Sequence, residues 1–251
     1  MKMGAACCLF LTIPLAGCVA QNAADNYAKR IEERRRMVAS QPSYVLKLDV
    51  SLTEVHRPPE AASLFGEIHT SHADIGSGVV FRAEDQLVQV YWSGPGHELA
   101  FELVNRSDSP IKILWDEAAF VDISGHSLRV IHNGVKLAER NSAQPPSIVA
   151  GKGKLSDMVF PSENVTYSTG QYTGGWHQKP MFPCTRIGYY CPDAEKLAKA
   201  YTGSTYRVLL PIQVGKESYP YTFVFNVNRA EVVTLAKGDD AINTKGAGPI
   251  K

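Results

Sequence analysis

The chain has 251 residues, with 26 Lys plus Arg against 25 Asp plus Glu and a formal net charge of +1. Hydrophobic residues make up 44% and charged residues 20%, the balance of a globular protein of one large domain or two small ones. These values exclude a disordered chain, a collagen-like repeat and a strongly basic nucleic-acid binder, and after the first twenty positions no apolar run approaches the ~18 residues of a membrane span.

The N-terminus carries the strongest signal. Met1-Lys2-Met3 places one positive charge before an apolar stretch at 4–15 that contains Cys7, Cys8, Leu9, Phe10, Leu11 and Ile13 and no acid. That is the length of a signal-peptide core and is too short to span a bilayer. It closes on Leu15-Ala16-Gly17-Cys18, which resembles the lipobox of bacterial lipoproteins. The resemblance implies removal of the signal peptide 1–17, a diacylglyceryl group on the Cys18 sulfur and acylation of the new amine. Acyl chains of the palmitate class would then hold the protein to the lipid bilayer without a spanning segment. The alternative is an ordinary secretory signal followed by a chance cysteine. Val19 follows the cysteine; by resemblance to enterobacterial sorting, a residue other than Asp there favours the outer membrane, on the periplasmic side of the cell envelope.

Residues 18–41 read as lipid anchor and tether. Ala23, Ala24, Ala28 and the run Lys29-Arg30-Ile31-Glu32-Glu33-Arg34-Arg35-Arg36 favour a short helix by propensity. Its apolar stripe is thin (Tyr27, Ile31, Val38), which suits a solvated spacer, with contact to anionic headgroups as the alternative.

From position 42 the pattern changes to period two. Tyr44, Leu46, Leu48 and Val50 alternate with Val45, Lys47 and Asp49, the mark of a strand with one buried face. Residues 56–77 read as loop. Val79-Val80-Phe81 and Leu87 to Trp92 are strand candidates, and Leu99, Phe101 and Leu103 alternate in a third. Asn105-Arg106-Ser107-Asp108-Ser109-Pro110 is a turn-rich break. Residues 111–122 resume around Trp115, and Asn133-Gly134 after the 128–131 strand suits a type I′ turn. The stretch 141–192 reads as a long loop insertion with a strand candidate at 155–160. Asp193 is an N-cap candidate for a short helix at 194–201. A last hairpin pairs 206–214 with 219–227 across Gly215, with Phe223, Phe225 and Val227 on one face. Residues 237–251 carry no apolar periodicity and read as a disordered tail.

Short strands joined by hairpins, with little helix, predict a mainly β domain over 42–236, an antiparallel β-sandwich. Three pieces in order carry a further likeness across 98–227: Leu103-Val104-Asn105 before a polar turn, Trp115 and Phe120 before Gly125, and Tyr221-Thr222-Phe223-Val224-Phe225 in the last strand. This stretch resembles the immunoglobulin-like domains of bacterial lipoproteins, although the antibody-type Cys…Trp…Cys spacing is missing. A sandwich hosts many functions, so the likeness implies no activity.

Chemistry is sparse. No GxSxG elbow, GxxxxGK[ST] loop or HExxH helix occurs; Gly125-His126-Ser127-Leu128-Arg129 and Gly76-Ser77-Gly78 each lack a required glycine. Cys184 and Cys191, the two cysteines left after Cys7, Cys8 and Cys18, predict a disulfide in an oxidising compartment; a metal thiolate pair or a redox dithiol is the alternative. Among the histidines, His69 and His72 would share a face if helical and present two imidazoles to one metal, with Asp74 beside them, or would simply be solvated. The aromatic stretch 167–192 (Tyr167, Tyr172, Trp176, Phe182, Tyr189, Tyr190) reads either as a recognition surface or as cover for one end of the sandwich. The resulting expectation is a non-enzymatic envelope lipoprotein, without cofactor, that presents a β-sandwich to a protein partner through Tyr172, Trp176, Tyr189 and Tyr190. Binding of a metal or small ligand near His69 and His72 is the alternative.

Overall fold

A computed structural model of the chain describes residues 29, 30, 32, 33, 43–74, 78–170, 174–185, 191 and 193–235. Residues 29, 30, 32 and 33 are helical. The signal peptide, Cys18, most of the tether, the tail at 237–251, Tyr172, Tyr189 and Tyr190 lie outside the described residues. The chain divides into two units, Met1–Pro42 and Ser43–Lys251, and every strand among the described residues belongs to the second.

The described part of that second unit is a mainly antiparallel β body. In chain order the strands are β1 Ser43–His56, β2 His69–Asp74, β3 Val79–Glu84, β4 Val88–Ser93, β5 Leu99–Asn105, β6 Ile111–Ile113, β7 Ala119–Val121, β8 Ser127–Ile131, β9 Ser147–Val149, β10 Lys154–Pro161, β11 Val165–Ser168, β12 Gly175–Gln178, β13 Thr205–Val214 and β14 Glu217–Leu235. Two helices, α1 Pro59–Phe65 and α2 Ala194–Tyr201, pack with the strands. Hydrogen-bonded neighbours run β1-β14-β13-β7-β8-β10-β5-β4-β3-β2, with β6 and β9 added on β13. The run curls over on itself, so that β1 and β2 at its ends come together. The β8–β10 seam between its halves is short: only Phe160 with Ile131 and Pro161 with Val130. The arrangement is a β-sandwich with barrel-like closure.

Burial explains why these residues choose these strands. β5 alternates strictly, with Leu99, Phe101, Leu103 and Asn105 buried. β14 buries Tyr221, Phe223, Phe225 and Val227, the face expected from the sequence. Between the layers the Trp92 ring lies 4.9 Å from Phe101, 5.1 Å from Phe223 and 5.9 Å from Phe225. Each such ring removes a large apolar area from water, worth roughly 1.5–3 kcal/mol.

Several expectations are corrected. Residues 56–77 are not simply loop. Pro59 at the start of α1 presets a helical φ and lacks only a hydrogen that the first turn does not use, Glu60 suits that turn, and Gly66 ends the helix at φ +73°. β2 is exposed at every position and pairs with β3 through its backbone, so it offers no apolar alternation to read. The 141–192 stretch contributes β9 and β10 to the main sheet, and β10 lies between β5 and β8. Asn133-Gly134 does not form a type I′ turn, because only Gly134 has a positive φ, and the chain passes into a 3-10 turn at Leu137–Glu139 rather than into a partner strand. Asp193 occupies the N-cap position of α2 but makes no side-chain cap bond.

The body has two ends. At the proximal end β1 begins and β14 finishes, with Ser43 opposite Leu235. The 94–98 connection joins them there: Pro95 lines a shallow groove with Leu46, Lys47, Thr185 and Val233. The distal end holds α1, the β3–β4 and β13–β14 turns and β9. It is fixed by a buried polar cluster. Asp85 Oδ2 accepts from Tyr221 Oη at 2.7 Å and Arg57 Nη1 at 2.5 Å, while Oδ1 accepts from the N–H groups of Leu87 and Val88. The Arg57 side chain also donates to the Gly66 carbonyl.

Candidate functional site: an aromatic hairpin and an open strand edge

The aromatic stretch 167–192 divides into two parts with different surroundings. The first is the β11–β12 hairpin, a separate two-stranded sheet. Tyr167 stands directly opposite Trp176 in its register, so both rings share one face. Their centroids are 5.1 Å apart, and they are 59% and 39% exposed. Arg140 lays its guanidinium 4.9 Å from the Trp176 ring centre, a cation–π contact on one face of the indole. At the root, Val165 is buried with Ile131 and Phe160, and Lys179 N–H donates to the Asn164 carbonyl. The hairpin belongs to the proximal end, since the Met181 N–H donates to the His97 carbonyl in the 94–98 connection.

The second part is cover. Phe182 is buried, 4.9 Å from Tyr206 and within 6.4 Å of Phe120 and Tyr201. Cys184 and Cys191 form the expected disulfide, with Cα atoms 5.6 Å apart. The Cys184 carbonyl takes the Leu46 N–H at 2.7 Å and so fastens the cover to β1. Burial pushes the phenol of Tyr201 up to about 12 and those of Tyr206 and Tyr221 upward as well, the last also through the Asp85 charge.

The histidine alternative loses its geometry. His69 and His72 lie three apart on strand β2, where side chains alternate, so they point to opposite faces. Among the described residues no three His, Cys, Asp or Glu come together as a metal could use them. Other histidines have structural surroundings. His132 stacks on Trp115 at 4.2 Å with Nδ1 3.2 Å from Asp157, and His97 stacks on Phe160 at 5.4 Å. Grooves lined by described residues, such as the one over Tyr91, Glu102, Ser156 and Met158, are open to solvent.

The edge of β9 had no sequence signal. β9 pairs with β6 on one side and carries no strand on the other among the described residues. Val149 and Ser147 turn inward, the latter accepting the Trp115 Nε1–H at 2.8 Å. Ile148 therefore points out and is 67% exposed. The two prolines before it, Pro145 and Pro146, confine the edge. Asn105 Nδ2 donates to the Val149 and Ala150 carbonyls, which places this edge at the distal end. Arg140, likewise, is 36 residues from its aromatic partner and could be found only in three dimensions.

No protein-family model, no curated protein and no solved structure matches this chain.

Proposed function

We propose that this chain is a non-enzymatic envelope lipoprotein that presents an immunoglobulin-like β-sandwich to a protein partner. The anchor rests on the lipobox Leu15-Ala16-Gly17-Cys18. The finer fold reading is supported by burial: Leu103, Trp115, Phe120, Tyr221, Phe223 and Phe225, from the three stretches that carry the likeness, are core residues, and Asn105 is a buried polar one.

The observation that carries the partner reading is Ile148 on the open edge of β9. An unpaired strand edge is a template for another chain, and proteins blunt it with short strands, prolines or charges; Pro145 and Pro146 limit this edge to three residues but put no charge on it. Here a large apolar side chain stands in that place. The mode it suits is strand addition, in which an extended segment of the partner pairs with the edge and an apolar residue covers Ile148. This moves the proposed contact within the 141–192 stretch, from Tyr172, Trp176, Tyr189 and Tyr190 to β9.

The test is cross-linking and recovery of the tagged protein from intact cells, read by mass spectrometry, beside an Ile148→Lys variant with unchanged circular dichroism. A recurrent stoichiometric partner that disappears with the variant supports the reading. Equal recovery by the variant, or no partner at all, overturns it. Separately, Cys18→Ser is expected to abolish lipid labelling and signal cleavage; normal processing would remove the anchor from the proposal.

A further inference from the structure

We infer that the Tyr167–Trp176 hairpin is a lipid-surface contact that seats the proximal end of the body on the bilayer. The inference rests on the lipid-anchored reading of Cys18 but goes beyond it, because acyl chains fix the protein's distance from the membrane and not its orientation.

Three observations carry it. The first is chemistry. Tyr167 and Trp176 present exposed rings side by side on one face of a two-stranded ribbon, each with an apolar body and a polar tip. Such rings favour the headgroup layer, where one end is apolar and the other wet.

The second is charge. Arg140 is stacked on Trp176, and Lys179 follows at the hairpin root with an exposed side chain. Both suit anionic headgroups, and the long Arg and Lys stems lie along apolar surface while their charges stay in water.

The third is position. The part of the chain that bears Cys18 joins the body at Ser43, at the end of the body where the hairpin also lies. In an anchored protein a second membrane contact needs little affinity of its own, because it forms within a complex already held at the bilayer. A pair of aromatic rings with one or two cations is on the scale such a contact requires. Seating this end also leaves β9, at the opposite end, directed away from the bilayer.

The chain carries its own probe. Trp92 and Trp115 are fully buried, and Trp176 alone of the three tryptophans is exposed. The experiment reconstitutes the full-length lipidated protein into vesicles of phosphatidylcholine and phosphatidylglycerol whose acyl chains are brominated, with unbrominated vesicles as reference. Flotation reads the anchor; tryptophan quenching reads the hairpin. The expected result is flotation together with quenching that is lost in Trp176→Phe and weakened in Tyr167→Ala, both variants keeping the wild-type circular dichroism. Flotation without quenching overturns the inference and leaves the anchor standing. Failure to float overturns both. Quenching that persists in Trp176→Phe assigns the signal to a buried ring and overturns the inference. If Trp176 is unquenched by lipid but becomes shielded from a soluble quencher when envelope proteins are added, the hairpin's occupant is a protein and the inference falls.

Discussion

Replacing Asp85 by Ala tests the energetics of the distal end most directly. The carboxylate has no exposed surface, and its partner Arg57 has a side chain only 5% exposed. Four donors converge on it: Tyr221 Oη, Arg57 Nη1 and the N–H groups of Leu87 and Val88. Truncation leaves a buried guanidinium without its counter-charge and strands the other donors. Breaking a buried pair from one side costs about 3–5 kcal/mol, and the orphaned neutral donors push the loss toward the upper value. A domain holds only about 5–15 kcal/mol in all, so the variant is left near the edge of folding. At a urea slope of about 2 kcal/mol per molar, the midpoint falls by roughly 1.5–2.5 M. The assay is urea unfolding followed by circular dichroism, with Arg57→Met and the double variant completing a mutant cycle. The double variant is expected to lose less than the sum of the two singles, because neither charge is then left alone. A loss below about 1 kcal/mol for Asp85→Ala at unchanged slope would refute the reasoning, since it would mean that water replaces the carboxylate at no cost.

Two further outcomes concern the proximal end and the buried phenols. Reducing Cys184–Cys191, or replacing both by Ser, is expected to cost about 2–3 kcal/mol by the chain-entropy argument for so short a loop and to loosen the start of β1 through the Leu46–Cys184 bond; equal urea midpoints with and without reductant would show that Phe182 packing alone holds the cover. Alkali should unfold the body in a defined window. The phenols of Tyr201, Tyr206 and Tyr221 are raised by burial, so the folded state keeps protons that the unfolded chain releases near pH 10. Stability is therefore level below that pH and falls above it, by about 1.4 kcal/mol per pH unit for each such tyrosine, toward pH 12. Tyrosinate absorbance should rise together with loss of the β signal; buried tyrosines that titrate before unfolding would contradict the sign.

The long alternating strands were legible because each has one wet face. β5 and the β13–β14 hairpin announce themselves through Leu99, Phe101, Leu103, Phe223 and Phe225. Elements held by other forces left no such mark. β2 is exposed at every position and shows no apolar alternation, β9 is three residues long, and α1 is set by a proline. The site was legible in part. Composition singled out the 167–192 stretch, and Trp176 and Tyr167 are exposed as a recognition surface requires, while Phe182 became cover. Composition could not supply Arg140, or the convergence of Arg57 and Tyr221 on Asp85 from 28 and 136 positions away, since such contacts depend on how distant strands pair.

The pairing of β1 with β14 also has a mechanical consequence. Thirteen residue pairs join the two strands in antiparallel register from Ser43 to His56, interrupted by two register shifts. A pull between Ser43 and the distal end acts along β1, across hydrogen bonds that lie perpendicular to the strand, and so loads many of them at once. A pull that separates Ser43 from Leu235 meets the same ladder one rung at a time. The fold thus resists tension applied at Ser43 along the length of the body, and yields more readily to a force that parts Ser43 from Leu235.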